Sequence, residues 1–290
     1  MTAAEVARGM ADHFAAFSFV DRIAELVPAE RARGVFSVPR SVGAFPACLV
    51  AEAVGQLAAW VAMAQIDFRG RPVAALATET LFHREVAPGD RLQLAVEIEA
   101  CDDDAVAYGG AAEVEGQRVI ELRHCLGPML PVAEFDAPEA MRERFGLLCG
   151  EGAPAGRFRG VDTPRLDGVE AISERSMRAT LRVPRSAPFF ADHFPRRPVF
   201  PATLLLDSQI RLAMDLARRA IAAPAGTTLT AQRMTNVKMR SFIVPGQTVE
   251  LAAELTAVDE ASATARLSAS VDGRSVATAR LDIAARSADR

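Results

Sequence analysis

The sequence predicts an α+β fold that is built twice within one chain of 290 residues. Each half contains one long apolar segment of helical length that begins at a proline, Pro46 or Pro201. Segments with the alternating pattern of half-buried strands follow, for example 91–100 and 248–257. A VDG sequence at 271–273 separates two further strand-like segments and predicts a hairpin. One helix beside a run of antiparallel strands gives a unit in which the sheet wraps round a central helix.

The internal repeat is visible in four pairs of segments that occur in the same order. VPRS at 38–41 recurs at 183–186, FPACLVAEAVGQLA at 45–58 matches FPATLLLDSQIRLA at 200–213, VAPGDRLQLAVEIEA at 86–100 matches IVPGQTVELAAELTA at 243–257, and VEGQRVI at 114–120 matches VDGRSVA at 271–277. Such a fixed order indicates a tandem duplication. We therefore expect an N-terminal unit at 1–135, a linker with a short helix at 136–165 and a C-terminal unit at 166–290.

The composition excludes several classes of function. The formal net charge is −4, so no basic excess suggests a nucleic-acid partner. The first residues lack a basic region followed by an apolar core, so we expect no secretory signal. We also expect no membrane span, because Glu52, Gly55 and Gln56 interrupt the most apolar segment, 47–65. The four cysteines lack metal-ligand spacing, which favours reduced thiols in a cytoplasmic protein without a metal.

The segment 191–201, ADHFPRRPVFP, is the most informative stretch for function, because it leads into the second apolar helix. Pro201 suits the first turn of a helix, since its φ is fixed and its missing N–H has no partner to lose there. The loop therefore brings His193 to a helix start, where free amide groups and the positive end of the helix dipole collect. A general base in that place fits a catalytic site. The structural alternative is a histidine packed beside a core helix.

Two acidic residues occupy matching positions in the apolar helices. Glu52 is the single charge of the first apolar segment, and the matching residue of the second copy is Asp207. An isolated ionised carboxylate is costly to bury, so Glu52 should be paired, protonated or functional. Asp207 has Arg211 four residues later, the spacing of an ion pair on a helix. Glu52 has Gln56 at that spacing, and an amide can hydrogen-bond a carboxylate but cannot neutralise it.

At these residues the chain resembles the hot-dog-fold 3-hydroxyacyl-acyl-carrier-protein dehydratases of bacterial fatty-acid synthesis. The resemblance rests on HFPxxPVxP at 193–201 followed by an acid in an apolar helix, on FVDRIAEL at 19–26, and on the APGDRLQL and VPGQTVEL segments. It spans roughly 19–130 and 168–285. In that family two units pair through edge strands, and each site takes its histidine from one unit and its acid from the other. The resemblance therefore implies a double hot-dog fold, in which such a dimer is fused into one chain.

The spacing of the repeated motifs indicates that the two copies differ at the site. The VPRS motifs are 145 residues apart, whereas Pro46 and Pro201 are 155 apart, so the first copy lacks ten residues. In the second copy this interval contains the histidine loop. A composite site can then combine a histidine with an acid only if His193 faces Glu52. Asp207 and Gln56 are secondary candidates, with Asp207 either a relic or a structural partner of an arginine on its own helix.

The resemblance implies a hydro-lyase that dehydrates 3-hydroxyacyl thioesters in fatty-acid or polyketide-type assembly. The acyl chain would be carried on the phosphopantetheine of an acyl carrier protein, with no metal or organic cofactor. His193 would act as the base, since imidazole is largely neutral near pH 7. Glu52 would provide the proton for the departing hydroxyl or hold a water that does, because burial favours a protonated carboxyl. The backbone N–H groups at Ala202 or Ala47 are candidates for an oxyanion hole.

The chain departs from the family pattern near both helix starts. Ala47 and Ala202 stand where the family usually has a glycine, and alanine keeps the N–H but restricts the backbone. Arg196 replaces a loop glycine. Together with Arg197, it alters access, meets an anionic phosphopantetheine, or is simply a solvated loop charge.

Other residues are weaker candidates. Four phenylalanines suit an acyl tunnel and equally a core: Phe189, Phe190, Phe194 and Phe200. His83 is interpreted as structural, and His13 and His124 have no acid near them in any motif. Asp192 either orients the loop histidine or lies on the loop surface. Cys48, at a helix start, has either a lowered thiol pKa or a place in the core.

Two other functions stay open. A hot-dog acyl thioesterase would need an acid or nucleophile beside the thioester carbon, and the HFP loop argues against it. A catalytically silent module that binds an acyl chain or a carrier is the non-enzymatic alternative, although retention of both His193 and Glu52 argues against it. A fused pair already buries the usual dimer contact, so a pseudo-dimeric monomer is expected, and a higher oligomer stays open.

Overall fold

The computed structural model describes residue 14 and residues 16–154, 158, 160–221 and 227–287. His13 and part of the stretch at 150–156 lie outside these residues. The strands are β1 Arg22–Val27, β2 Arg31–Ser37, β3 Gly70–Pro72, β4 Leu76–Phe82, β5 Arg91–Cys101, β6 Ala105–Val114, β7 Gln117–Pro131, β8 Leu166–Ser173, β9 Ser176–Arg182, β10 Thr227–Met239, β11 Thr248–Val258, β12 Ser262–Val271 and β13 Arg274–Ser287. The helices are α1 Ala47–Gln65, α2 Pro138–Cys149 and α3 Ala202–Ala220, with short 3-10 turns at Val132–Glu134 and Pro188–Ala191.

The strands form one antiparallel sheet that continues through both halves of the chain. Its order is β1-β2-β5-β6-β7-β4-β10-β13-β12-β11-β9-β8, and β3 pairs with β7 at one side. The order reads the same from either end when strands at matching repeat positions are exchanged. The halves meet where β4 pairs with β10, with Glu79 opposite Thr235 and Ala77 opposite Val237. The architecture is the expected double hot dog, with α1 enclosed by one half of the sheet and α3 by the other.

Both central helices begin directly after the prolines of the repeat. Pro46 and Pro201 occupy the cap positions, and no side chain caps either helix. Burial therefore stabilises these helices more than capping does. α1 has the length and hydropathy of a membrane span, with a mean hydropathy of 1.6. Ala53, Val54 and Leu57 are nevertheless fully buried under the sheet, as is typical of a core helix.

The hairpin between β12 and β13 follows the expected turn chemistry. Asp272 has φ 49° and Gly273 has φ 73°. Positive φ at both central residues is the requirement of a type I′ turn, whose twist matches that of the flanking strands.

The connections into the two central helices differ in length. β2 is joined to α1 by residues 38–46, whereas β9 is joined to α3 by residues 183–201. The longer connection contains the 3-10 turn and His193. The ten additional residues of the second copy therefore form one loop at the start of α3.

α2 lies between the two halves of the chain and packs against α1 and β1. It begins at Pro138, and the ring of Phe145 stacks on that of Trp60 at 6.3 Å. Arg144 on this helix forms a buried ion pair with Asp136, with Nη1 and Oδ2 2.8 Å apart. The helix thus fixes the residues after β7 against the N-terminal unit.

Candidate active site

A cavity of about 240 Å³ lies between the two units. Its wall includes Glu52 and Gln56 from α1, His193 from the loop, and Ala202 and Thr203 from the first turn of α3. Residues from both copies of the repeat, far apart in sequence, therefore face one space.

His193 is held in one tautomer. Its Nδ1 lies 2.8 Å from the carbonyl oxygen of Val199, and a carbonyl only accepts, so Nδ1 carries the proton. Nε2 is then the nitrogen with a free lone pair. The ring stacks on Phe194 at 4.1 Å and meets the edge of Phe17 at 5.3 Å. Burial lowers the pKa of His193 below 6.5, although the nearby Glu52 opposes this shift. The imidazole is therefore in the neutral form that a base requires.

Glu52 is fixed by donors from both units. Its Oε1 accepts from Gln56 Nε2 at 3.0 Å, and its Oε2 accepts from Thr203 Oγ1 at 2.8 Å. Gln56 is itself held, because its Nε2 also donates to the carbonyl of Phe17 at 2.9 Å and its Oε1 accepts the N–H of Phe19 at 2.8 Å. The carboxyl group is thus oriented from its own helix and from the first turn of α3.

The start of α3 presents free amide groups to the cavity. The N–H groups of Leu204 and Leu205 bond to the carbonyl of Pro201, so those of Ala202 and Thr203 precede the first bonds of the helix. Ala202 lies in the cavity wall, whereas Ala47 at the matching position of α1 packs against the core. The geometry therefore favours Ala202 over Ala47 as the oxyanion-hole position.

Asp207 lies away from this cavity, among buried residues of α3. Its Oδ2 accepts from Arg211 Nε at 3.0 Å, and Arg211 also donates to the carbonyl of Pro164 at 2.7 Å. Burial raises the pKa of Asp207, and the Arg211 guanidinium acts in the opposite direction. Of the two roles expected for Asp207, the structure shows the one of an ion-pair partner.

The phenylalanines divide into two pairs. Phe194 and Phe200 line the cavity. Phe189 and Phe190 instead pack in the hydrophobic core, with ring centroids 4.6 Å apart. The sequence left a tunnel and a core position open for all four, and Phe189 and Phe190 occupy the core position. Part of the remaining apolar wall comes from strands near the seam between the units: Ala77, Leu122, Cys125, Leu126, Val237 and Met239.

Two weaker candidates have structural roles. Asp192 Oδ2 accepts the N–H groups of Ala16 at 3.1 Å and Phe17 at 2.8 Å, so it anchors the segment before β1 to the histidine loop. Cys48 is buried, and burial raises the pKa of its thiol well above the ordinary value. Cys48 is therefore a core residue, and its thiol is not activated.

His83, His124 and the loop arginines lie outside the cavity wall. His124 Nδ1 is 3.2 Å from a carboxylate oxygen of Glu99, and His83 Nε2 is 3.9 Å from Glu121. Both pairs lie on the exposed face of the sheet. The loop arginines bind the turn after β7: Arg196 Nη1 donates to the carbonyl of Ala133 at 3.0 Å, and Arg197 Nη1 pairs with Glu134 at 2.5 Å.

Sequence reasoning missed several polar residues of the cavity, among them Thr203 and Arg71. Thr203 matches Cys48 in the repeat, and this exchange of a thiol for a hydroxyl at a helix start was an available signal. Arg71 lies in β3, and its guanidinium carbon is 4.1 Å from the ring centroid of Phe194. Burial lowers the pKa of Arg71 to about 10, so it is charged at neutral pH. No local pattern identified Arg71, because its neighbours come from distant segments.

Fold and cavity together define a double hot-dog protein, and solved structures agree. A putative oleoyl thioesterase from Lactobacillus plantarum superposes with a TM-score of 0.58 at 12% identity, over 88% of this chain and 96% of that one. A MaoC-like dehydratase gives a TM-score of 0.51 at 14% identity, over 88% and 98%. At such identities these likenesses establish the fold alone.

Sequence relatives give the family. A family model described as ApeI-like, ApeI dehydratase, matches residues 169–279. The 3-hydroxyacyl-[acyl-carrier-protein] dehydratase FabZ of Tolumonas auensis is 33% identical over 132 residues, which cover 45% of this chain and 87% of the relative. The FabZ of Vibrio atlanticus is 32% identical over 114 residues, which cover 39% and 76%. The chain belongs to the 3-hydroxyacyl-acyl-carrier-protein dehydratase family.

Proposed function

We propose that the protein dehydrates 3-hydroxyacyl thioesters on acyl carrier protein to trans-2-enoyl thioesters, at one composite site. The observation that carries the proposal is that His193 and Glu52 line the same cavity, although 141 residues and a repeat boundary separate them. Membership of the dehydratase family supports the reaction class. Fatty-acid or polyketide-type assembly is the setting in which such carrier-bound substrates occur.

The proposed reaction removes one water from the substrate. His193 Nε2 takes the α-proton, and the electron pair of that C–H bond moves towards the thioester carbonyl. The N–H groups of Ala202 and Thr203 stabilise the resulting negative oxygen, a contribution worth about 3–4 kcal/mol per donor in other enzymes. The electrons then form the α,β double bond as the C–O bond breaks. The hydroxyl leaves as water with the proton taken by His193, which passes through the Glu52 carboxylate, so both side chains end the turnover as they began it.

The geometry also supports the division of roles. The base has a fixed tautomer and a depressed pKa, so it is ready to accept a proton near neutral pH. Glu52 is oriented by Gln56 and Thr203, which hold it within the cavity rather than at the surface. The strand-derived apolar wall provides room for an acyl chain beside these polar groups.

The test is an assay of purified protein with 3-hydroxyacyl thioesters of acyl carrier protein, in which enoyl product and free thiol are followed separately. We expect enoyl product without thiol release. His193→Ala and Glu52→Gln should each abolish it, because each removes a group that transfers a proton.

Asp207→Asn is the matched control, since it alters the acid at the equivalent helix position of the other unit. We expect this variant to keep most activity. Inactivation by Asp207→Asn in a folded protein, with Glu52→Gln still active, would refute the composite site. Thiol as the main product would indicate a thioesterase, and neither product at any chain length would indicate a binding module.

A further inference from the structure

Arg71 lies at the cavity wall with its guanidinium against an aromatic ring. Its guanidinium lies over the ring of Phe194, and its Nη1 is 3.9 Å from the sulfur of Met141. Among the described residues, no carboxylate lies within ion-pair distance of Arg71. Buried arginines are usually paired, because an isolated charge is costly to desolvate. Asp136, Glu52 and Asp192 favour the Arg71 charge from farther away. None of them is paired directly with Arg71, so its guanidinium N–H groups can bind an anion in the cavity.

Arg144 provides a second incompletely bonded guanidinium in the same wall. The residue is only 6% exposed, and its Nη1 is bonded to Asp136. Its Nη2 is buried, and within the described part of the chain it has no acceptor. A buried donor of a charged group without an acceptor is destabilising, so native structures generally provide one.

The two guanidinium groups both lie near one thioether, that of Met141. The Met141 sulfur is 3.9 Å from Arg71 Nη1 and 3.6 Å from Arg144 Nη1, which places these nitrogens within about 7.5 Å of each other. Asp136 compensates one of the two positive charges. An anion between them would satisfy the free Nη2 of Arg144 and bind the guanidinium of Arg71 directly.

We propose that Arg71 and Arg144 form an oxyanion subsite of the cavity, which takes a carboxylate carried by the acyl group of the substrate. The acyl group as the source of the carboxylate rests on the function proposed above, whereas the subsite itself rests on the two arginines. Guanidinium groups suit carboxylates because they donate two parallel hydrogen bonds in a fixed plane.

The distance to the reacting groups favours the acyl chain over the carrier arm as the source of the anion. Arg71 and His193 both stack on Phe194, at 4.1 Å each, so the guanidinium lies within about 8 Å of the imidazole. The phosphate of an extended phosphopantetheine arm is farther from its sulfur, roughly 15 Å, as for an extended chain of four to five residues. A carboxylate a few bonds beyond the β-carbon reaches Arg71 while the α-carbon stays beside His193.

The test measures binding and needs no turnover. Four unreactive S-alkyl thioethers are compared by calorimetry: pantetheine and 4′-phosphopantetheine, each with a pentyl group or the same chain ending in a carboxylate. We expect the carboxylate to raise the affinity at least about tenfold in the native protein. Arg71→Met should remove that difference and leave the affinity for the pentyl probes within about twofold, and Arg71→Lys should keep part of it.

Arg197→Met is the matched control, because Arg197 also lies over aromatic rings, 5.5 Å from Phe135 and 4.9 Å from Phe242, but outside the cavity wall. It should keep the full carboxylate preference. Thermal unfolding verifies that each variant is folded. Asp136→Asn/Arg144→Met removes the second arginine without leaving its buried partner unpaired, and it should also reduce the preference.

The proposal would be overturned by equal affinity for pentyl and carboxylate probes in the native protein. It would also be overturned if the higher affinity for carboxylate probes survived Arg71→Met. A third contrary result is an increase in affinity that comes from the 4′-phosphate of the arm and not from the carboxylate. The last result would assign the arginines to the carrier arm. Because the probes do not react, failure of the dehydration assay would leave this outcome unaffected.

Discussion

At the scale of single residues, the hydroxyl of Thr203 joins the two units across the cavity. It belongs to the second copy and donates to the carboxylate of Glu52 in the first, 2.8 Å away. Since a hydrogen bond to a charged group is worth about 1.5–3 kcal/mol, this contact is strong enough to set the position of the acid. Thr203 is thus a positioning residue in addition to any use of its backbone amide.

Thr203→Val keeps the shape of the side chain and removes the donor. We expect kcat for dehydration to fall about 10- to 100-fold with a small change in KM, because the acid is displaced while the acyl cavity is retained. Thr203→Ser should restore most of the rate. Full activity of the valine variant in steady-state assays would show that Glu52 needs no donor from α3.

The protonation of His193 gives a second expectation at this scale. Burial lowers the pKa of His193 below 6.5, and the negative charge of Glu52 raises it. The acidic limb of the pH profile of kcat/KM should therefore have its midpoint below 6.5, with a plateau at neutral pH.

Glu52→Gln should move the titration of the His193 imidazole, followed by NMR, to still lower pH, because the variant removes the opposing charge. Asp207→Asn provides the comparison and should leave that midpoint in place. A midpoint that rises in Glu52→Gln would contradict an electrostatic link between the two residues.

At the scale of elements, the two central helices have diverged around equivalent acids. The α1 acid faces the cavity with amide and hydroxyl partners, and the α3 acid is enclosed with Arg211. This second pair is structural, so its loss should change stability far more than activity.

Arg211→Met leaves Asp207 buried without its guanidinium partner. We expect the free energy of unfolding to fall by about 1–2 kcal/mol, a moderate amount because Arg211 is 39% exposed at its side chain. Asp207→Leu combined with Arg211→Met should recover part of the loss, since neither charge is then left alone. Chemical denaturation provides the measurement, and equal stability of the single variant would exclude a structural role for the pair.

The sequence allowed prediction of the features that depend on local pattern. Proline geometry placed the starts of α1 and α3, alternation placed β5 and β11, and the difference in motif spacing located the longer loop. The inward direction of Phe189 and Phe190 was not predictable, because an irregular loop has no period that assigns its faces. Thr203 and Arg71 were also missed: the bond from Thr203 to Glu52 joins residues 151 apart, and no local rule reports such contacts.

At the scale of the whole molecule, the cavity is internal to one chain. The halves of the sheet meet at β4 and β10, and both proposed catalytic residues lie in the same polypeptide. Two variant chains, each inactive through a different substitution, therefore cannot form an intact site by associating.

A mixture of His193→Ala and Glu52→Gln chains should show no dehydration above that of either variant alone. Two-chain dehydratases with shared sites would recover activity in such a mixture, because exchange of subunits creates some intact sites. The control is a co-purified mixture of native and variant chains, whose activity should equal the native share. Recovery in the mixed sample would show that the working site spans two molecules.

The unequal loops into α1 and α3 have a further consequence for how this chain can change. In a symmetric homodimer every mutation is made in both subunits at once, so deletion of the histidine loop would remove both sites together. After fusion the same deletion removes one site and leaves the other intact. Each half can then mutate independently. On the proposed function, α3 is free to pair its acid with Arg211, while α1 retains the acid that faces the cavity.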